Sequence, residues 1–119
     1  MDSSRQHVRI TVRAPAKLNL DLRILRRRSD GFHELRTVIQ SIELHDTLSM
    51  RLRPGPLTVR SRNRGVPVDH ANLVWTAAHT LWRMLGRSGT PEGVSISIRK
   101  VVPIAGGLGG GSSDAAAAL

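Results

Sequence analysis

The 119-residue sequence predicts one α+β domain. Three patterns predict it. Apolar and polar residues alternate over residues 7–13, 17–24 and 94–98, which is the period of half-buried strands. Leu73, Val74, Ala77, Ala78, Leu81, Trp82 and Leu85 instead fall on one continuous helical stripe. Finally, a glycine-rich stretch over residues 101–111 joins the last strand to the start of a second helix.

The elements follow in order. The first strand runs from about His7 to Arg13, with Val8, Ile10 and Val12 on one face. Ala14-Pro15-Ala16 interrupts it, because Pro15 has no N–H for a ladder. A second strand then puts Leu18, Leu20, Leu22 and Ile24 on the core face, so Lys17 and Asn19 project side by side from the other. Ser29-Asp30-Gly31 reads as a turn into Phe32-His33. Residues 35–44 and 47–53 read as two strands split near Asp46, Pro54-Gly55-Pro56 as a turn, and 57–60 as a short strand. A polar loop over 61–70 precedes the helix, for which Asn72 is the N-cap and Gly86 or Gly89 the stop. The second helix begins at Ser112 and runs about two turns to Leu119.

Composition excludes several classes. Only Phe32, Trp75 and Trp82 are aromatic, so the core must be aliphatic. No apolar run approaches the roughly 18 residues of a membrane span, and residues 1–6 are too polar for a signal peptide. The absence of cysteine rules out disulfides, a thiolate nucleophile and zinc–cysteine sites. A cytoplasmic location is the expectation. The formal charge is +9, from sixteen arginines and two lysines against nine acidic residues. Arginine on this scale reflects either genome composition or a surface for phosphates or nucleic acid, and apart from Arg26, Arg27 and Arg28 it is scattered. Against that background Lys17 and Lys100 mark places where a compact ammonium is suited.

The glycine stretch carries most of the chemistry. Glycines let a backbone approach a ligand closely, and free N–H groups at a helix start favour an anion. Pro103, Ile104, Ala105, Gly106, Gly107, Leu108, Gly109, Gly110, Gly111, Ser112 and Ser113 therefore suggest a phosphate cradle, against the alternative of a flexible connector before a capped helix. It is not a P-loop, which needs lysine after the glycines, nor a G-x-G-x-x-G fingerprint. The five histidines are too dispersed for a metal site, and no G-x-S-x-G supports a serine hydrolase. For Phe32, a place in the core competes with stacking on a base; Trp75 and Trp82 read as packing residues.

Ala14-Pro-Ala-Lys-Leu-Asn-Leu20, Arg28-Ser-Asp-Gly-Phe-His33 and the loop from Pro103 to Asp114 together resemble the 4-diphosphocytidyl-2-C-methyl-D-erythritol kinase family, within the galactokinase, homoserine kinase, mevalonate kinase and phosphomevalonate kinase (GHMP) superfamily. Asn72-Leu-Val resembles the family's segment before the ATP-side helix. The resemblance implies a GHMP N-terminal domain, similar to the second domain of ribosomal protein S5. It implies ATP-dependent phosphorylation of the substrate's 2-hydroxyl in the non-mevalonate isoprenoid pathway, with Mg²⁺ on the phosphates. By the same resemblance Lys17 is catalytic, Asn19 holds the methylerythritol portion, Phe32 stacks on cytosine and His33 hydrogen-bonds its edge. Phe32 stands where the family often has tyrosine. Pro103 to Ser113 would wrap the ATP phosphates, while Asn72, Trp75 and Lys100 would lie by the adenosine. The family's catalytic aspartate lies in a Gly-x-Asp-x-Pro-like segment with no counterpart in residues 1–119. The expectation is a partial N-terminal domain, inactive alone and lacking the C-terminal domain. The competing class is a non-catalytic basic module that binds nucleic acid or nucleotide.

Overall fold

In a computed structural model, residues 8–119 are described; His7, the expected start of the first strand, lies outside them. Four strands form one sheet in the order β1-β2-β4-β3, with β1 Arg9–Arg27, β2 His33–Pro56, β3 Thr58–Ser61 and β4 Glu92–Arg99. The neighbours β1/β2 and β2/β4 are antiparallel, and β3/β4 is parallel. A parallel pair needs a crossover. It is supplied by α1, Leu73–Met84, and α2, Gly110–Ala118, follows β4.

The expected α+β class holds, and the core is aliphatic. Ala14, Leu48, Val59, Val74, Ile96 and Ile98 form a buried cluster, flanked by half-buried Met50, Leu57, Trp75 and Val94. Alternation accounts for its sheet side, since Leu48 pairs with Val12 and Ile98, and Ile96 with Met50 and Val59. Of the α1 stripe only Val74 is fully buried, while Leu73, Leu81 and Leu85 stay substantially exposed.

Several expected boundaries are corrected. Pro15 does not end a strand. β1 runs through it, and the pairing jumps from Pro15↔His45 to Lys17↔Ser41, so β2 carries the extra residues as a bulge. Asp46 does not split β2 but pairs with Ala14 inside it, and Pro54-Gly55-Pro56 stays within the same strand. Helix α2 starts at Gly110, two residues before Ser112, because Gly109 in the left-handed region (φ 68°) already serves as its N-cap.

The largest correction concerns Leu18, Leu20, Leu22 and Ile24. They do not enter a core but are 42–67% exposed. Beyond the bulge, β1 and the first half of β2 form a two-stranded arm covered by neither helix. The arm explains a radius of gyration of 17.0 Å and a longest dimension of 60 Å, where a compact chain of this length has a radius near 13.5 Å.

Helix α1 is well terminated. The Asn72 side chain accepts the Val74 N–H at 2.9 Å and donates to the Pro67 carbonyl, tying the cap to the preceding loop. Gly86 closes the other end with φ 75° and its N–H on the Arg83 carbonyl. Asn72→Ala should lower unfolding free energy by about 1 kcal/mol, read from the urea midpoint. A midpoint equal to that of the unsubstituted chain would refute the capping role.

Candidate functional site

The loop after β4 and the start of α2 enclose a cleft of about 410 Å³, lined by Asn72, Lys100, Asp114 and the chain from Pro103 through Ser112. Residues 65–67, Ala71 and Leu73 complete the wall. A helix leaves its first N–H groups without intrahelical partners, and no side chain caps α2. Those of Gly110, Gly111 and Ser112 thus stand at the cleft with the positive end of the helix dipole. Such a geometry favours an anion. Of the residues read as an ATP site, Ser113 and Trp75 are not in the cleft wall. Trp75 packs against the core and stacks on His79, with ring centroids 3.3 Å apart.

Lys17 is brought to the same place. Its backbone N–H donates to the Leu108 carbonyl at 2.8 Å and its Nζ to the Gly107 carbonyl at 3.0 Å. The bulge at Pro15 allows this, because it takes the chain out of regular pairing just before Lys17. Gly109 is required at the contact: a Cβ there would lie 3.0 Å from Lys17 Cγ, and its φ is positive. One of the three ammonium donors is used on Gly107.

Asn19 lies two positions further along β1, about 7 Å away, exposed and facing Thr37, whose hydroxyl is 3.5 Å from its Oδ1. Phe32 and His33 are not brought to Lys17. Phe32 is 73% exposed at the tip of the arm, and His33 pairs with Arg27, ten residues beyond Lys17, about 33 Å along the strand. Neither ring is in the core, so the core reading of Phe32 is overturned.

Sequence reading gave no role to two carboxylates, Asp114 in the cleft wall and Asp46, which shares Lys100 with it. Asp46, fully buried, accepts the Val101 and Val102 N–H groups on Oδ1 at 2.7 and 2.8 Å, and Lys100 Nζ on Oδ2 at 2.7 Å. Lys100 Nζ also donates to Asp114 Oδ2 at 3.0 Å. Asp114 Oδ1 is buried without a hydrogen-bond partner among the described residues. Burial pushes the Asp114 carboxyl up to about 7, reinforced by Asp46 and opposed by Lys100. Burial also works against ionising Asp46, but the contacts from Asp114, Lys100 and the two N–H groups outweigh it and hold Asp46 below the ordinary carboxylate range. For Lys100, burial disfavours the charge, yet the two carboxylates more than offset it and its pKa is raised. Lys100 is thus held between two carboxylates that titrate together, Asp114 shifted up and Asp46 down. A signal for Asp46 was present: it lies two residues before Leu48, on the inward phase of β2.

Comparison with known proteins agrees with this geometry. The family profile described as GHMP kinases N terminal domain matches residues 72–119. The 4-diphosphocytidyl-2-C-methyl-D-erythritol kinase of Geobacter sulfurreducens is 46% identical over 112 residues, which are 93% of this chain and 39% of that protein. The enzyme of the same name from Geobacillus thermodenitrificans is 46% identical over 114 residues, 94% of this chain and 38% of that one. A crystal structure of a 4-(cytidine 5'-diphospho)-2C-methyl-D-erythritol kinase superposes with a TM-score of 0.71 at 37% identity, covering 92% of this chain and 38% of that chain. The chain therefore spans about two fifths of the length of the relatives it matches. None of the helices among the described residues is long and apolar enough to cross a membrane.

Proposed function

We propose, for a chain that belongs to the GHMP kinases and carries their N-terminal domain, that the cleft binds ATP and serves transfer of its γ-phosphoryl group to the 2-hydroxyl of 4-diphosphocytidyl-2-C-methyl-D-erythritol. The observation that carries this is the hydrogen bond from Lys17 Nζ to the Gly107 carbonyl. It joins, across 90 residues of sequence, two of the three segments on which the resemblance rests.

Phosphoryl transfer relies on positioning and charge stabilisation more than on covalent chemistry. The N–H groups at the start of α2 supply fixed donors for the phosphates. Lys17, bound to the rim of the same loop, places a cation where the attacking hydroxyl and the transferred group would meet. Asn19, on the same strand, would hold the polyol part of the substrate. For Phe32 and His33 to hold its cytosine, the arm has to curl toward the cleft. The pairing irregularities between Asn19 and Asp21 and between Ile24 and Arg27 are where a two-stranded ribbon bends.

Mg²⁺, as the partner of ATP, supplies charge neutralisation on the phosphates. No group of three or more acidic, histidine or cysteine side chains able to hold a metal occurs among the described residues. A nucleotide co-substrate and the absence of cysteine favour the cytoplasm.

Two measurements test the reading. Calorimetric titration should show saturable ATP binding, and its absence would remove the nucleotide site. In a full-length kinase carrying this segment, assayed by ADP release with the cytidine-diphosphate substrate, Lys17→Met should lower turnover by about 10²-fold or more with ATP affinity nearly unchanged. Near-normal turnover in that variant would show that Lys17 has a different role.

A further inference from the structure

We propose that Asp46, Lys100 and Asp114 form a latch that positions the first turn of α2 for the nucleotide's phosphates, with Asn63 as its outer clip. The proposal rests on the nucleotide reading above and goes beyond it by assigning Lys100 an internal duty in place of a ligand contact.

The three residues belong to three different segments. Asp46 sits within β2, Lys100 follows the end of β4, and Asp114 lies in α2. The register Thr47↔Arg99, extended by one residue, sets Asp46 beside Lys100 on the helix-covered face. From there the ammonium spans 2.7 Å to Asp46 and 3.0 Å to Asp114, with its side chain only 10% exposed. An ammonium held between two carboxylates is a poor partner for phosphate. Its charge is already matched, and leaving would strand Asp46 buried and ionised.

The backbone of Lys100 is held as well. Its N–H donates to Asn63 Oδ1 at 3.0 Å, and its carbonyl accepts from Asn63 Nδ2 at 3.0 Å. Asn63 therefore continues the edge of β4 by one residue, as a neighbouring strand would. Meanwhile Asp46 fixes the N–H groups of Val101 and Val102. The chain is pinned from both sides just before it enters the glycine loop, and Asp114 pins it again just after. Between those pins lie the loop residues 103–109 and the N–H groups of Gly110, Gly111 and Ser112. Moving Asp114 would move that turn.

The test compares ATP with adenosine. A latch that aims the phosphate donors affects binding of the triphosphate and leaves adenosine alone, whereas general loosening of the fold weakens both. Asp114→Ala should bind ATP at least tenfold more weakly at pH 7, with adenosine affinity unchanged. Asp114→Asn keeps an oxygen for Lys100 Nζ and should restore ATP affinity to within about threefold. Should Asp114→Ala fail to fold, Asn63→Ala carries the test, because it removes the clip from the surface; ATP affinity should fall several-fold and adenosine affinity stay constant. Unchanged ATP affinity in the folded alanine variants, or equal loss of ATP and adenosine, overturns the latch. If the unsubstituted chain binds no ATP, the nucleotide reading fails and the latch fails with it.

Discussion

Lys100→Met is expected to destabilise the chain by about 3–5 kcal/mol at pH 7, the cost of removing one partner from a buried ionic cluster. A domain of this size has only about 5–15 kcal/mol in total, so the loss is a large fraction of its stability and should move the urea midpoint far down. The loss arises because Asp46 would remain buried and ionised beside Asp114 with no cation between them. The pH dependence separates this from a simple packing defect. Asp114 has a folded-state value of about 7 against an ordinary 3.8, so between those values the folded chain holds a proton that the unfolded chain releases. Its contribution is fully present below pH 4 and is lost as pH rises through 7. Asp46 is shifted the other way: its contribution is present above the ordinary 3.8 and disappears as pH falls through its lower folded value. Removing Lys100 removes what opposes the upward shift of Asp114, so the folded variant keeps that proton to higher pH, and its urea midpoint should rise from pH 7 to pH 5 by more than that of the unsubstituted chain. An unchanged urea midpoint at pH 7, or a loss independent of pH, would contradict the account.

The residues that were legible are those whose local pattern matches their environment. Val94, Ile96 and Ile98 alternate and form a strand, and Asn72 stands before an apolar stripe and caps it. The loop from Pro103 to Ser112 was recognisable because glycines in a row before a helix have few structural uses besides close approach. Errors came where periodicity was taken as burial. Leu18, Leu20, Leu22 and Ile24 alternate correctly for a strand, yet a strand's apolar face is buried only if something covers it. Pro15 and Asp46 looked like strand breakers, and both sit in long strands for specific reasons. Pro15 has the missing N–H tolerated on the edge strand β1, and Asp46 finds two N–H donors and an ammonium. The latch itself was illegible because its members are 54 and 14 residues apart and no short motif links them. Lys100 drew attention by its rarity and by the resemblance, which put it by the adenosine, and neither indicated the two carboxylates as its partners.

The glycines at the start of α2 give the sharpest contrast between adjacent positions. At Gly110 an added Cβ would lie 2.9 Å from Lys100 Nζ, 2.9 Å from Val102 Cγ1 and 3.1 Å from Val102 Cβ. Val102 is 1% exposed, and Lys100 Nζ is fixed by two carboxylates, so neither neighbour can give way cheaply. At Gly111 the nearest atom is Leu73 Cδ1 at 3.7 Å, an ordinary contact at the end of a half-exposed side chain. Alanine in a helix is favoured over glycine by about 1 kcal/mol, and that gain applies to both sites. At Gly111 nothing opposes it, so Gly111→Ala should be neutral or raise the melting temperature by a few degrees. At Gly110 overpacking of about 1–3 kcal/mol outweighs it, and Gly110→Ala should melt several degrees lower. It should also weaken ATP binding, because relief of the clash requires the first turn of α2 to back away from Lys100. Equal melting temperatures for the two variants would mean that α2 is not seated on Lys100 and Val102 as described.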